Sequence, residues 1–368
     1  MTNIILSEIK NGVGIITFNS PKSLNSISLE MALAMTAQLN EWKKDNNVHC
    51  VFLQGNEKAF CAGGDVRRLY QALIKTEKGK ISSDALEFFI QEYTLDYTIH
   101  TYPKPIVAWG DGIVMGGGIG LLVGASHRIV TEKSKLAMPE ITIGLYPDVA
   151  GTWFLNRMPD GWGDYFGLTG ARMNAGDALY LGLADHFLSS ELKDVVLEKM
   201  MTQKWEENSE KNKILLDQIF KSLNSSNFSS PVKEHASFAK KLSQIKSVKE
   251  FNDLLASESA HDEWLALGYK SFKAGSPTSA MVIFEQLKRG KNLSLEQVFC
   301  SELNLSVQFS LRADFPEGVR ALLVDKDLSP KWQPATLEEV TMADVETYFT
   351  QVWNSLDHPL KSFICKEN

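Results

Sequence analysis

Cysteine is scarce in this chain, which has only four such residues and seven histidines. The cysteines stand far apart, at positions 50, 61, 300 and 365, and none shows the C-x-x-C spacing of a zinc or redox site. The histidines also lack the short spacing of metal ligands. We therefore predict no metal site and no disulfide framework, and a reducing compartment is the simpler expectation.

Excess basic charge and long apolar runs are also missing. The 38 Lys and Arg residues are outnumbered by 45 Asp and Glu residues, which gives a net charge of −7, whereas nucleic-acid binding needs a net basic face. No run approaches the roughly 18 apolar residues of a membrane span. The first residues, MTNIILSEIKNG, lack the basic and apolar regions of a signal peptide. We expect no nucleic-acid partner, no membrane partner and a cytoplasmic location.

The chain does have the composition and length of a soluble globular protein, with 44% hydrophobic and 23% charged residues among 368. Strand-like and helical patterns alternate up to about residue 190, beginning with a hairpin at Asn11-Gly12. Beyond that point the strand signal nearly vanishes. Helical periodicity then occupies 191–222, 231–257, 260–273, 277–289 and 295–313. We predict an α/β (α+β) core over 1–190 and a mainly helical region over 191–368.

Two glycine turns each follow a strand-like run and precede a helix. The first is Gly63-Gly64 in KAFCAGGDV, and the second is Gly116–Gly118 after Ile106–Trp109. Bare backbone at a helix N-terminus can present N–H groups to a developing negative charge. The functional interpretation is a pair of N–H groups converging on one carbonyl oxygen. The alternative is tight helix–strand packing, where only glycine fits. A dinucleotide fingerprint is not supported, because no register gives G-x-G-x-x-G.

Two acids, Glu140 and Asp148, each follow a proline within apolar surroundings, in KLAMPEITIGLYPDVAGTW. Desolvation in such a setting raises a carboxyl pKa toward the range that suits acid–base chemistry. The structural alternative is that Asp148 caps a helix beginning near Val149. Three cations near the glycine turns, Lys22, Arg67 and Arg68, are either solvated charges or contacts for a ligand phosphate.

Together these segments resemble the crotonase (enoyl-CoA hydratase/isomerase) superfamily. The residues that carry the resemblance are SPKSLNSI, KAFCAGGDV, PKPIVAWGDGIVMGGGIGL, KLAMPEITIGLYPDVAGTWFL and LTGARMNAGDALYLGLADHFL. The resemblance implies a core of stacked ββα units. It also implies a CoA thioester whose carbonyl oxygen is held by the N–H groups of Gly64 and Gly117, with the nucleotide near Lys22, Ala62 and Asp65. No separate cofactor is implied, because CoA is part of the substrate. Members often form trimers, so a homo-oligomer is allowed.

The acids distinguish branches of this superfamily. Hydratases use two glutamates; Glu140 matches the second, but Gly120 stands at the first, and Asp148 stands where many hydratases have glycine. This pattern resembles the 3-hydroxyisobutyryl-CoA hydrolase branch. Glu92 also matches a substrate-contacting glutamate of that branch. PTSAMVIFEQL and DFPEGVRALLVDKDLSPKW match its long C-terminal extension. The helical region 191–368 would then pack on the core and complete the acyl-CoA site.

The resemblance implies hydrolysis of a short 3-hydroxyacyl-CoA thioester in valine catabolism. Glu140 would be either a nucleophile that forms an anhydride or a base that activates water, and the sequence leaves both open. Asp148 would bind the substrate hydroxyl or assist proton transfer, while Glu92 would shape the acyl end. The alternatives are a hydratase, isomerase or decarboxylase of the same superfamily, or a non-catalytic acyl-CoA-binding protein.

Overall fold

The computed structural model describes residues 3–159, 161–224, 228–354 and 357–364. Strands are short and fall mainly in the first half of the chain. They are Ile5–Lys10 (β1), Val13–Phe18 (β2), Cys50–Gly55 (β3), Ala59–Cys61 (β4), Ile106–Gly110 (β5), Ile113–Met115 (β6), His127–Val130 (β7), Lys135–Ala137 (β8) and His186–Phe187 (β9).

Helices lie between these strands and then fill the second half of the chain. They are Leu29–Lys44 (α1), Val66–Lys75 (α2), Ser83–His100 (α3), Gly117–Gly124 (α4), Gly151–Leu155 (α5), Trp162–Thr169 (α6), Ala175–Tyr180 (α7), Lys193–Met201 (α8), Ser209–Leu223 (α9), Pro231–Glu234 (α10), Ala236–Leu242 (α11), Val248–Ser259 (α12), Glu263–Ala274 (α13), Pro277–Gly290 (α14), Leu295–Ser310 (α15), Asp314–Val319 (α16), Met342–Tyr348 (α17) and Lys361–Ile364 (α18). Short turns of other helical types occur at Pro21–Ser23, Glu140–Ile143, Ser190–Leu192, Arg320–Val324 and Leu337–Glu339.

A largely parallel sheet has the strand order β1-β2-β3-β5-β7-β9 among the described residues. The β1–β2 pair is the hairpin predicted at Asn11-Gly12, and the remaining pairs are parallel. Strand β5 is buried at every position, as expected of a parallel strand covered on both faces. A second sheet has the order β4-β6-β8, and its strands β4 and β6 end directly before the two glycine turns.

The chain divides into two compact units, and each draws on three segments of sequence. Unit 1 is Met1–Gly64, Thr94–Leu136 and Arg172–Glu234; unit 2 is Asp65–Tyr93, Ala137–Ala171 and His235–Asn368. In unit 1, alternate residues of β2, β3 and β5 pack with apolar side chains of α8 and α9. In unit 2, Trp162 and Tyr165 of α6 pack against Phe238 and Trp264. The boundary at residue 190 stays a prediction about how the chain is organised.

Two of the segments with helical periodicity contain more than one helix. The segment 191–222 forms α8 and α9, and 231–257 contains α10, α11 and the start of α12. The breaks coincide with capping residues: Asn208 accepts the N–H of Glu210 at the start of α9, and Ser247 accepts that of Glu250 at the start of α12. The periodicity identified helical sequence, but these caps set where each helix begins. In the described part of the chain, no helix is long and apolar enough to cross a membrane.

Candidate active site

The two glycine turns lie side by side in unit 1. Gly63 has a φ of +99°, and a Cβ built on it would lie 3.1 Å from the carbonyl oxygen of Met115 and 3.6 Å from the backbone nitrogen of Gly117. The carbonyl of Gly63 accepts the N–H of Ile27 at 2.8 Å, which fixes the first turn. Glycine is needed here on two counts, because the backbone is left-handed and a side chain would crowd the neighbouring turn. The expectation that the turns face one another is met.

Both turns carry backbone N–H groups that can act as donors. Gly117 begins α4, so its N–H has no carbonyl one turn earlier within the helix to bond. The N–H of Gly64 donates to no acceptor among the described residues. The partial positive charge at the start of α4 adds to the attraction for an anion. This corner can therefore stabilise an oxygen that becomes negative. The close packing of the glycines is seen, and the donor role of Gly64 and Gly117 stays a prediction.

Lys22 and Ala62, two residues predicted near the CoA nucleotide, lie at one corner of unit 1. Lys22 is exposed on a single helical turn. The N–H of Ala62 donates to the carbonyl of Leu24 at 3.1 Å, and buried Asn25 donates to the carbonyl of Ala59 at 2.8 Å. These bonds hold the lysine turn against β4.

Asp65, the third residue predicted near the nucleotide, lies in unit 2 and starts a helix. Its carboxylate accepts the N–H of Arg68 at 3.2 Å and caps α2, which confirms that Asp65 opens this helix. The side chains of Arg67 and Arg68 are exposed on the first turn of α2. A role of Asp65 in CoA binding stays a prediction.

Glu140 and Asp148 are both buried in unit 2, each with 6% of its surface exposed. Burial raises the pKa of Glu140 well above its usual range, and the nearby charge of Asp148 raises it further. Burial also raises the pKa of Asp148 to about 6, although a hydrogen bond with Tyr93 opposes this rise. The Oε2 atom of Glu140 has no hydrogen-bond partner among the described residues. Such a coupled acid pair is suited to proton transfer near neutral pH.

The alternative role for Asp148, a helix cap, is contradicted by the structure. Helix α5 begins only at Gly151, and the ionised Asp148 carboxylate would accept the O–H of Tyr93 at 2.8 Å instead. The cap is supplied by Glu302 of α15, whose two carboxyl oxygens accept the N–H groups of Ala150 at 2.8 Å and Thr152 at 2.9 Å. Because Glu302 accepts these two N–H groups, the Asp148 side chain is not needed as a helix cap.

The backbone directly after Asp148 is strained. Val149 has a φ of +52° and Ala150 a φ of +68°, a left-handed conformation that costs a residue other than glycine about 1–2 kcal/mol. Backbone strain of this kind persists only where the surroundings enforce it, often at functional sites. The Glu302 carboxylate enforces it here by binding the N–H groups on either side of Gly151.

Two further buried hydroxyls extend from Asp148, and sequence reasoning did not identify them. The Oγ of Ser306 lies 2.6 Å from the Tyr93 hydroxyl and 2.7 Å from that of Tyr146. Tyr146 in turn donates to the backbone carbonyl of Glu302. A usable signal was present in α15, because Glu302 and Ser306 are polar residues four apart on a buried face, and such residues share one side of a helix.

Glu92 is also buried in unit 2, with 3% of its surface exposed. It directly precedes Tyr93 on α3, the helix that supplies the hydroxyl beside Asp148. The structure therefore gathers Glu92, Glu140 and Asp148 in unit 2, while Gly64 and Gly117 belong to unit 1.

Comparison with known proteins gives a consistent family. The sequence model of the family described as Enoyl-CoA hydratase/isomerase matches residues 13–349. A curated relative from Xenopus tropicalis, "3-hydroxyisobutyryl-CoA hydrolase, mitochondrial", is 38% identical over 344 residues, which is 93% of this chain and 87% of that protein. The Homo sapiens protein of the same name is 36% identical over 352 residues, or 95% of this chain and 89% of that protein.

Two solved structures are similar over nearly their whole length. A carnitinyl-CoA dehydratase from Mycobacterium thermoresistibile has a TM-score of 0.86 and 34% identity, covering 95% of this chain and 97% of that one. An enoyl-CoA hydratase from Rhodobacter sphaeroides 2.4.1 has a TM-score of 0.83 and 30% identity, covering 95% and 98%. These likenesses confirm the predicted crotonase-like α/β fold.

The prediction of a cytoplasmic location is wrong by the same comparison. The curated relatives are named as mitochondrial proteins in Xenopus tropicalis, Danio rerio and Homo sapiens. The prediction was drawn from the absence of a recognisable leader, and such an absence carries no information about compartment, because targeting segments can be removed.

Proposed function

This chain belongs to the enoyl-CoA hydratase/isomerase family, and from that premise we propose that it hydrolyses 3-hydroxyisobutyryl-CoA in valine catabolism. Water supplies a hydroxyl to the acyl carbon and a hydrogen to the sulfur, and the products are 3-hydroxyisobutyrate and CoA. The observation that carries the proposal is the buried pair of Glu140 and Asp148, both with raised pKa values. Curated relatives that align with at least 92% of this chain bear the name of that hydrolase.

The proposal assigns charge stabilisation to the glycine corner. Attack on a thioester carbonyl places negative charge on its oxygen, and the N–H groups of Gly64 and Gly117 are the proposed donors. Loss of one such donor typically costs about 3–4 kcal/mol of transition-state stabilisation. The exposed ammonium of Lys22 and the turn at Ala62 and Asp65 are proposed to contact the nucleotide of CoA, and no other cofactor is proposed.

Glu140 is proposed to begin the reaction in one of two ways. As a nucleophile it attacks the acyl carbon, the C–S bond breaks, and water then attacks the Glu140 carbonyl carbon of the anhydride. As a base it removes a proton from water, which attacks the same carbon. Asp148 is proposed to bind the substrate hydroxyl or to move protons, and Glu92 to shape the acyl end.

Oxygen labelling separates the two roles of Glu140. In a single turnover in H₂¹⁸O, entry of label into the Glu140 carboxyl group, detected by peptide mass spectrometry, supports the anhydride. A turnover that leaves this side chain unlabelled supports the base.

The substrate proposal is tested by thiol release from a panel of 3-hydroxyacyl-CoA esters. The 3-hydroxyisobutyryl ester is expected to give the highest kcat/KM. A thiol-release rate that stays at the uncatalysed level for every ester in the panel would overturn the hydrolase proposal. Tight binding of the esters without turnover would then favour a non-catalytic acyl-CoA-binding protein.

A second candidate is hydration or dehydration of an acyl-CoA, because the two solved structures described above are named a dehydratase and a hydratase. Against it, Gly120 stands where the resemblance places the first of the two hydratase glutamates. Loss of enoyl absorbance without thiol release would favour this candidate over hydrolysis.

A further inference from the structure

Asp148 lies at one end of a row of buried hydroxyl groups in unit 2. Its Oδ2 is 2.8 Å from the Tyr93 oxygen, the Tyr93 oxygen is 2.6 Å from Ser306 Oγ, and Ser306 Oγ is 2.7 Å from the Tyr146 oxygen. The row ends where Tyr146 meets the backbone carbonyl of Glu302. Asp148 is 6% exposed, and the three hydroxyl residues and Glu302 are fully buried. The Tyr93 and Tyr146 oxygens also lie 3.4 Å apart, but the four shorter oxygen–oxygen contacts are the ones that need a hydrogen each. These four hydrogens must come from the row itself.

The hydrogens do not suffice when Asp148 is ionised. Each of the three hydroxyls carries one hydrogen, so three are available for four contacts. Tyr146 must use its hydrogen on the Glu302 carbonyl, which can only accept. Tyr93 must use its hydrogen on the carboxylate. Ser306 then has one hydrogen for two tyrosine oxygens, and one contact of 2.6 or 2.7 Å joins two oxygens with no hydrogen between them.

A proton on Asp148 removes this deficit. The bonds then run in one direction: Asp148 donates to Tyr93, Tyr93 to Ser306, Ser306 to Tyr146, and Tyr146 to the Glu302 carbonyl. We propose that Asp148 carries a proton in the resting protein, and that Tyr93, Ser306 and Tyr146 are positioning residues that hold it there. Unsatisfied polar contacts in a buried network are costly, so the count favours the protonated acid.

The charges around Asp148 act in the same direction. It is faced by Tyr93 from α3, by Glu140 from the turn at 140–143, by Tyr146 from its own loop and by Glu302 from α15. These groups are neutral or acidic, and no cation among the described residues acts on Asp148. Ionisation of Asp148 would therefore add a like charge to an acidic, water-poor environment.

The consequence for catalysis rests on the proposed function. Asp148 then supplies a proton in thioester hydrolysis, and Glu140 is the group that attacks the carbonyl or activates water. The protonation state itself can be measured without substrate. A failure of this inference is therefore distinguishable from a failure of the hydrolase proposal.

Infrared difference spectroscopy on the full chain measures the proton on Asp148. A buried carboxylic acid has a C=O stretch that is separate from the amide bands. We expect this band at pH 5, below the Asp148 pKa of about 6, in the wild type and its loss in Asp148→Asn. If the spectra of the two proteins coincide in this region at pH 5, Asp148 is ionised at rest and the inference is wrong.

Two variants test whether the row holds the proton. In Tyr146→Phe the contacts that remain can all be satisfied with Asp148 ionised, because Tyr93 donates to Asp148 and Ser306 to Tyr93. Ser306→Ala breaks the row at its centre and likewise frees Tyr93 to donate. Both variants should move the midpoint of the Asp148 band down by about one pH unit, the shift expected for the loss of one hydrogen bond.

Ser310→Ala is the matched control. It removes the next hydroxyl along α15, which donates to the carbonyl of Ser306 rather than to the row, and its midpoint should equal that of the wild type. An unchanged midpoint in Tyr146→Phe, or an equal shift in Ser310→Ala and Ser306→Ala, would contradict the positioning role.

Discussion

Glu140 and Asp148 have lost nearly all contact with water, yet they are held in different ways. Asp148 has a hydrogen-bond partner in Tyr93, whereas the Oε2 atom of Glu140 has none among the described residues. Burying a carboxyl oxygen without a hydrogen-bond partner lowers the stability of the folded state. Contact with a bound ligand therefore explains this oxygen better than a role in stability does. The unpartnered oxygen therefore favours Glu140 over Asp148 as the group that reacts.

Glu140→Gln keeps the size of the side chain but removes its ability to ionise. We expect kcat for thiol release to fall by about 10²–10⁴-fold, the usual contribution of a group that transfers a proton. CoA affinity, measured by calorimetry, should change little. Glu87→Gln makes the same substitution on the exposed face of α3 and should retain full activity. A Glu140→Gln enzyme as fast as the Glu87→Gln control would remove Glu140 from the chemistry.

At the scale of elements, one buried acid holds the loop that carries Asp148. Glu302 reaches from α15 and binds the N–H groups at the start of α5, next to the left-handed residues Val149 and Ala150. Burial raises the pKa of Glu302 to about 8, although its bonds to these N–H groups oppose the rise. The same carboxyl group thus affects both loop geometry and the pH dependence of stability.

Stability should fall with rising pH because of Glu302. The unfolded chain releases this proton near the ordinary pKa of glutamate, about 4.3, whereas the folded chain keeps it up to a pH of about 8. Between these values the folded state binds more protons, so the free energy of unfolding decreases as pH rises and levels off above the folded pKa.

Glu302→Gln tests this pH dependence by urea denaturation. The variant should show a flatter loss of stability between these two pH values. It should also be less stable by about 1 kcal/mol at low pH, because an amide can accept only one of the two N–H groups well. Glu338→Gln, at an exposed acid, should retain the slope of the wild type. A Glu302→Gln slope as steep as that of the wild type would mean that Glu302 is already ionised in the folded protein.

At Gly118 in the glycine corner, steric contacts and helix propensity predict opposite effects of alanine on stability. Alanine is favoured over glycine inside a helix by about 1 kcal/mol, but a Cβ on Gly118 of α4 would lie 2.2 Å from the carbonyl oxygen of Cys61. We expect the clash to dominate, so that Gly118→Ala lowers the free energy of unfolding by about 1–3 kcal/mol and slows catalysis by moving Gly117.

Gly79→Ala provides the comparison in thermal and urea denaturation. Gly79 also has a positive φ, +81°, but its added Cβ would meet no described atom within 4 Å. Only the backbone cost of about 1 kcal/mol then applies, and catalysis should be unchanged. A stable, fully active Gly118→Ala enzyme would show that the corner tolerates displacement.

For the molecule as a whole, the net charge of −7 repels CoA, which carries several negative charges. Cations near the binding site must offset this repulsion. Lys22, exposed on its turn, is the proposed contact. Binding to the folded state alone raises its apparent stability, by about 2.7 kcal/mol at a ligand concentration of 100 times Kd. Global unfolding therefore reports whether CoA binds and whether Lys22 takes part.

CoA at saturating concentration is expected to raise Tm by several degrees in the wild type. The increase in Tm should be smaller in Lys22→Ala. In the wild type it should also be smaller at high salt, because salt screens a contact made by an exposed charge. Lys80→Ala, at another exposed lysine, should retain the full increase. Equal increases in the two variants would remove Lys22 from the binding site.

Features that depend on neighbouring residues along the chain could be predicted from the sequence alone. Alternation and turn chemistry predicted the hairpin at Asn11-Gly12, which the structure contains. The two acids that follow prolines and the two glycine turns were also identified, because each is recognised from adjacent residues. The division of 191–222 and 231–257 into shorter helices was missed, because caps compete with periodicity there.

The groups that surround Glu140 and Asp148 could be identified only from the folded structure. Tyr93 and Ser306 are 213 residues apart in sequence, and Glu302 is 152 residues from Ala150. No local pattern links such residues, because their contacts form only when separate helices pack together in the folded chain. The same packing gave the Ala150 and Thr152 N–H groups to Glu302 rather than to Asp148. Sequence thus selected the acids, whereas packing over long sequence distances set their hydrogen bonds and, through burial, their pKa values.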